Sequence, residues 1–330
     1  MKQFLQKKAK LVFLCMLVLL TCTACANPRG RDGKTLADQI IASEETTIDA
    51  SKINYKDISD KELKKEIKKN IKDGQYTIQP TTFKESMSKG WFEGLIVWPI
   101  AQIINLISSK TDAGVGIILT TLLIQMLVFV FTRKSQMSTQ RMQEIQPEIQ
   151  KIQNKYKDKT DERSKMQMAQ EMQNIYQKYD IHPFGSMLIT FIQLPIMMGM
   201  YYATMRSVSV VSGSFMGISL AGTPLDGFKA LDIAYISIYV LMVIFYIVSM
   251  KLPQWLKKWQ DKKDNVKVKK YAQEQTNPMA NSMNMSMYFM TAMICIMYIS
   301  WPMAMSFYWL VSSVIRVCQS LILHQVMNKK

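Results

Sequence analysis

An arginine stands inside "SFYWLVSSVIRVCQSLIL" (306–323), a stretch otherwise apolar enough to lie in lipid. Arg316 is flanked by Ser312, Ser313 and Gln319, and Tyr308 and Trp309 precede it. A charge at mid-bilayer costs ~2.5–3.5 kcal/mol even on the mildest insertion scales, so such a group faces a bundle interior or a wet cavity. Snorkelling to the surface is the alternative. About nine residues remain to the end of the run, roughly 13 Å at ~1.5 Å per residue, a long reach for one side chain. On a helix, Trp309, Ser312, Ser313, Arg316, Gln319 and Ser320 share one face. Two other apolar runs carry polar groups at a similar depth: Gln125 in the run that begins at Ala113, and Gln193 in the run that begins near residue 185. Pro195, two positions after Gln193, removes a backbone donor and frees a carbonyl in the turn before it. These groups suit hydration of a polar segment in lipid. They do not suit bond-making: His182 and His324 have no partner pattern, and no P-loop, dinucleotide fingerprint or metal-type spacing is present. No cofactor is expected.

The elements that hold these residues follow from the block pattern. The chain has 330 residues, 48% of them hydrophobic, and a net charge of +16, with long apolar runs between highly charged stretches. That pattern indicates an all-α membrane protein. Five spans are expected, at 113–132, 185–206, 231–250, 283–301 and 303–324, the last two joined by a tight turn at Pro302. Residues 134–182 carry Met142, Ile145, Ile149, Ile152 and Tyr156, then Met168, Met172, Ile175 and Tyr179, at alternating spacings of three and four. Two such seams predict an antiparallel helical hairpin. Lys and Arg concentrate in 133–184, with 10, and in 251–282, with 8, whereas 207–230 holds only Lys229. The positive-inside rule places the two basic segments, and the 326–330 tail, in the cytoplasm.

The basic loop 251–282 interleaves Trp255, Trp259 and Tyr271 with lysines, which suits anionic lipid headgroups or an RNA surface such as a ribosome; no specific nucleic-acid sequence is implied. Residues 86–110 hold Trp91, Trp98 and Pro99 and read as an interfacial amphipathic helix. Residues 25–85 carry mixed charge and show no core pattern, so they read as a polar extracellular tether. Met is abundant, at 27 residues, and Met197, Met198, Met200, Met287 and Met290 suit a flexible surface on which varied apolar helices slide; gap filling in a bundle is the plainer alternative.

At the N-terminus, residues 1–24 combine a lysine-rich start with the apolar run "LVFLCMLVLL", too short to span comfortably. "CTAC" (22–25) then resembles the lipobox of bacterial lipoproteins, with Cys22 where Leu is usual. The resemblance implies a cleaved signal peptide and acylation, palmitate included, of Cys25, which would hold the N-terminus on the outer face.

Three runs resemble one family: "MQEIQPEIQKIQNKY" (142–156), "HPFGSMLITFIQLPIMMGMYYA" (182–203) and "WPMAMSFYWLVSSVIRVCQ" (301–319). They are similar to the YidC family of membrane protein insertases and chaperones, within the Oxa superfamily, over about 86–325. The resemblance implies a hydrophilic groove open to the cytoplasm and to lipid. A polar client segment enters it while the client's apolar helix partitions into the bilayer. The implied partners are nascent membrane proteins, with the Sec translocon and the ribosome as candidates. The expected groove residues are Arg316, Gln125, Gln193, Ser312, Ser313, Gln319, Tyr308 and Trp309. The family's groove arginine usually lies in the first span, where this chain has Gln125, and the position of Arg316 is usually uncharged. A small-ion channel or transporter with a buried arginine is the competing class. Five unlike spans show no inverted repeat, and the outer halves of the runs lack polar residues.

Overall fold

The computed structural model describes residues 28–156, 159, 161–181, 185–263, 289 and 291–328. Cys25, His182, Met287, Met290, most of the 251–282 loop and residues 283–288 of the 283–301 run lie outside the described residues. In chain order the elements are β1 (Thr35–Leu36), β2 (Thr46–Asp49), β3 (Ile53–Asn54), α1 (Lys61–Asn70), β4 (Gln75–Ile78) and α2 (Phe83–Lys89). A π-helical turn (Glu93–Val97) leads into α3 (Trp98–Ser108), followed by α4 (Ala113–Glu144), α5 (Gln146–Lys155), α6 (Glu162–Lys178), α7 (Gly185–Arg206) and α8 (Val208–Ser212). Then come β5 (Ser214–Phe215), β6 (Ile218–Ser219), α9 (Pro224–Ala230), α10 (Ile233–Lys263), α11 (291–298) and α12 (Met303–Asn328). The protein is mostly helical. Among the described residues three helices are long and apolar enough to cross a membrane, within α4, α10 and α12.

The chain divides into two compact units. The first comprises residues up to Gln125, Phe191–Met242 and Tyr298–Ser312; the second comprises Met126–Thr190, Val243–Met297 and Ser313–Lys330.

Within the first unit, the expectation of a coreless tether at 25–85 does not hold. β1 pairs with β3 in parallel and β2 with β4 antiparallel. Ala37, Ile40, Ala42, Ile48, Ile53, Ile58, Ile67 and Ile78 bury together, and Val208 and Val211 of α8 complete the cluster. α1 is mostly lysine and glutamate, capped by the Asp60 carboxylate on the Glu62 and Leu63 amides, and it buries Ile67. No period of 2 or 3.6 runs through these apolar positions, because each short element contributes one or two side chains. The small domain is tied to α7, α8 and α3 by hydrogen bonds of Ile41. The Ile41 amide donates to the Arg206 carbonyl (2.7 Å), the Val208 amide to the Ile41 carbonyl (3.0 Å), and the Asn105 side-chain amide also to Ile41 (2.8 Å).

The 86–110 segment is also more built than a single interfacial helix. It is broken at Gly90, which takes φ of 147° between α2 and the π turn, a backbone conformation in which a Cβ is disfavoured. Phe92, Val97, Ile100, Ala101 and Ile104 are buried, so one face packs on protein. The Trp98 indole N–H donates to the Thr81 carbonyl (2.9 Å).

In the second unit α4 runs on to Glu144 without a break, twelve residues past the expected end of the span, so residues 134–144 extend the α4 rod. α5 begins with Pro147 in its first turn, where the missing N–H costs nothing. Asp161 caps α6 by accepting from the Ser164 amide (2.9 Å). α5 and α6 pack along each other: Ile145, Ile149 and Ile181 form a core with Met142, Met172, Ile175, Tyr176 and Tyr179. The Tyr179 hydroxyl donates to Glu148 (2.7 Å) and the Tyr156 hydroxyl to Glu171 (2.9 Å), fixing the register.

Candidate functional site

Two buried or half-buried hydrogen bonds join three helices of the first unit. The Gln125 amide on α4 donates to the Ser312 hydroxyl on α12 (3.1 Å). The Gln193 amide on α7 donates to the Tyr308 hydroxyl (3.0 Å). Tyr308 and Ser312 are four apart and hence on one stripe of α12. Both are fully buried, and Gln125 is nearly so. An amide left unpaired in such a place costs ~1–3 kcal/mol, so each pair is held by the penalty of separation rather than by a large net gain. Pro195 sits inside α7 just beyond Gln193, as expected. Trp309 stacks on Tyr298, with ring centroids 4.8 Å apart, and joins Trp301 and Tyr201 in an aromatic cluster.

In the second unit, Arg316 lies half-buried on α12. Its Nη2 donates to the Ser313 hydroxyl one turn back (2.9 Å), and its guanidinium carbon lies 5.9 Å from the centre of the Tyr246 ring on α10. A cation over an aromatic face in a desolvated setting is worth ~0.5–2 kcal/mol, which offsets part of the burial cost. Ser313 is fully buried, and Gln319 is half-buried on the same helix. Tyr246 was not evident from the sequence, where it is one aromatic residue in an apolar run; its i−4/i+4 surroundings carry no charge to flag it. Of the α7 methionines, Met197 and Met198 are half-buried, whereas Met200 is wholly buried and so offers no sliding surface in this conformation.

The sequence reading also passed over a buried ion pair. Glu93, inside the apolar 86–110 segment, bonds Arg206, the last residue of α7, and both are nearly inaccessible. The Tyr202 ring lies 5.5 Å from the Arg206 guanidinium carbon. The Ser207 hydroxyl beside it donates to Asn105 Oδ1 (2.6 Å). The signal was available: opposite charges at the ends of two apolar runs, neither able to sit in lipid unpaired.

The family model described as "60Kd inner membrane protein" matches residues 105–330. The chain belongs to this YidC/Oxa1 family. Its members are insertases and not enzymes. Among the relatives of this family member is "Membrane protein insertase YidC 1" of Streptococcus pyogenes serotype M6, 30% identical over 237 residues, covering 72% of this chain and 75% of that protein. A protein of the same name from Listeria monocytogenes serotype 4b is 30% identical over 257 residues, 77% of this chain and 78% of its own length. "Membrane protein insertase MisCA" of Bacillus subtilis is 28% identical over 238 residues, 72% of this chain and 80% of its own. The polar bonds around Gln125, Gln193, Tyr308 and Ser312, and Arg316 itself, all fall in the family-matched part. The small folded domain before residue 86 lies outside it.

Proposed function

We propose that this family member is a membrane protein insertase and chaperone of the bacterial cell membrane. It passes polar segments of newly made membrane proteins through a hydrophilic groove while their apolar helices enter lipid. The observation that carries the reading is the pair of buried amide bonds, Gln125 to Ser312 and Gln193 to Tyr308. They put polar groups from three helices within an otherwise apolar bundle, the composition such a groove needs. Arg316, one turn beyond Ser312 on α12, supplies the groove's positive charge in place of the usual first-span arginine, whose position Gln125 occupies.

In this reading the chain has five spans, the three long apolar helices being joined by α7 and by the run around α11. Cys25 is acylated outside, the α5–α6 pair forms a cytoplasmic hairpin, and the C-terminus is cytoplasmic. Trp255 and Trp259, both exposed at the end of α10 among lysines, support contact with anionic headgroups. The Sec translocon and the ribosome are candidate partners.

Photo-crosslinking from position 316 during translation of a single-span client tests the groove: adducts with the client's polar flank are expected. Arg316→Ala should abolish complementation of an insertase-depleted strain, and Arg316→Ala with Gln125→Arg should restore part of it. Full complementation by Arg316→Ala would remove the arginine from the mechanism.

A further inference from the structure

The first unit holds a cavity of about 570 Å³ whose lining shares no residue with the polar bonds around Gln125 and Gln193. Its walls come from distant parts of the chain: the approach to β1, residues 51–52, the segment 211–226 and Ser300. The charged side chains lining it are Arg29, Arg31, Lys34 and Lys52 against Asp32 and Asp226, four positive against two negative.

Both carboxylates have neutral donors. Asp226 accepts from the Thr223 amide (3.1 Å) and hydroxyl (2.7 Å), and Asp32 from the Asn54 side chain (2.8 Å) and the Lys34 amide (3.0 Å). The cations are aimed by neutral acceptors: Arg29 donates to the Ala221 carbonyl (2.9 Å), Lys34 to Ser51 and Lys52 to Ser212 (2.5 Å each). These bonds orient the cavity's charges; behind the lining, Asp49 faces Lys34 and Lys52, and Asp57 faces Arg31, so the positive excess belongs to the lining itself. Each ammonium has three donors, and the named bond uses one. Burial pulls the Arg29 pKa below the ordinary arginine value. Asp226 returns part of that burial cost, and an incoming anion would return more.

We propose that this cavity binds a phosphate ester anion: the headgroup phosphodiester of an anionic glycerophospholipid, or a soluble glycerol phosphate. An arginine fork beside lysine point charges is the donor set that phosphate selects, and the volume lies in the range of small-ligand sites. Cys25 stands four residues before Arg29. If it is acylated as proposed above, a fully extended link of at most ~14 Å separates the lipid anchor from the cavity, which puts the cavity within reach of headgroups. Phosphate binding itself does not depend on that acylation or on the insertase reading.

The test is native mass spectrometry of the purified full chain in a neutral detergent, titrated with phosphatidylglycerol, phosphatidylcholine or glycerol 3-phosphate. The phosphate ester with net negative charge should bind at least about tenfold tighter than phosphatidylcholine, as charge-assisted hydrogen bonds require. The exposed triple variant Arg31→Gln, Lys34→Gln, Lys52→Gln should lose that preference. Lys61→Gln, Lys68→Gln, Lys69→Gln on α1, matched in charge and exposed, should keep it. Retention of phosphatidylglycerol alone marks the lipid as source, and retention of glycerol 3-phosphate marks a soluble ester. Equal binding of the two lipids, an unchanged triple variant, or displacement by an acidic peptide but not by glycerol 3-phosphate would overturn the assignment.

Discussion

Replacing Glu93 by Gln should destabilise the first unit by several kcal/mol, out of proportion to the loss of one charge. Glu93 and Arg206 have side chains only 7% and 4% exposed, so water cannot solvate the cation left behind. Removing one partner of a buried pair costs about 3–5 kcal/mol. The Tyr202 ring near Arg206 returns ~0.5–2 kcal/mol of that through its quadrupole. The net loss is therefore about 1–4.5 kcal/mol. The double variant Glu93→Leu, Arg206→Met removes both desolvation penalties and should recover most of it, because buried pairs exchange for apolar groups at little cost. Unfolding in mixed micelles of wild type, Glu93→Leu, Arg206→Met and the double variant, followed by tryptophan fluorescence, gives the four corners of a double-mutant cycle, and a coupling of ~2 kcal/mol or more is expected. The Arg206 carbonyl also receives the Ile41 amide, so limited proteolysis of 28–82 should accelerate in Glu93→Gln and not in the double variant. A single variant within ~0.5 kcal/mol of wild type, or a double variant that simply adds the two losses, would refute the claim that burial sets the size of the effect.

Other consequences are simpler to state. Ile53→Ala should cost about 2–5 kcal/mol and make residues 28–82 protease-sensitive while leaving the α5–α6 pair intact, since Ile53 is core to one and absent from the other. Gly114→Ala should destabilise by ~1–3 kcal/mol in the same micelle assay, because a Cβ there would meet the Phe215 ring at 2.0 Å, and Phe215 is itself set edge-on against Phe307. Asp57 is held below the ordinary carboxylate range, chiefly by the Arg31 backbone amide and then by Asn54. A pKa depressed by folding contributes stability that is fully present above its unfolded value of about 4 and is lost as pH falls through the folded value. Protease resistance of 28–82 should accordingly fall as pH is taken below about 4, and Asp57→Asn should flatten that dependence.

Much of the helical framework was legible because lipid and helix geometry act locally. A run of twenty apolar residues or a seam at three-and-four spacing needs no tertiary partner to be recognised, and Gly185–Arg206 and the start at Met303 fall where the runs placed them. Polar residues inside those runs were equally conspicuous, since the bilayer makes each one costly; that is why Gln125, Gln193, Tyr308, Ser312 and Arg316 were identifiable. What each of them bonds was not. Whether Gln125 meets Ser312 or Gln193 meets Tyr308 depends on helix rotation, which interhelical packing sets. Burial of Met200 beside half-buried Met197 and Met198 was decided the same way. The folded domain at 28–82 was invisible for a different reason. Its core joins single side chains from short strands and a lysine-rich helix to Val208 and Val211, more than a hundred residues away, and no local period records such a meeting. The same non-local closure brings Arg29, Lys52 and Asp226 around one cavity. Composition and period thus specified which segments form long apolar helices and which polar groups are costly within them. Only the folded chain decided the partners, because burial and hydrogen bonding are satisfied between segments and not within them.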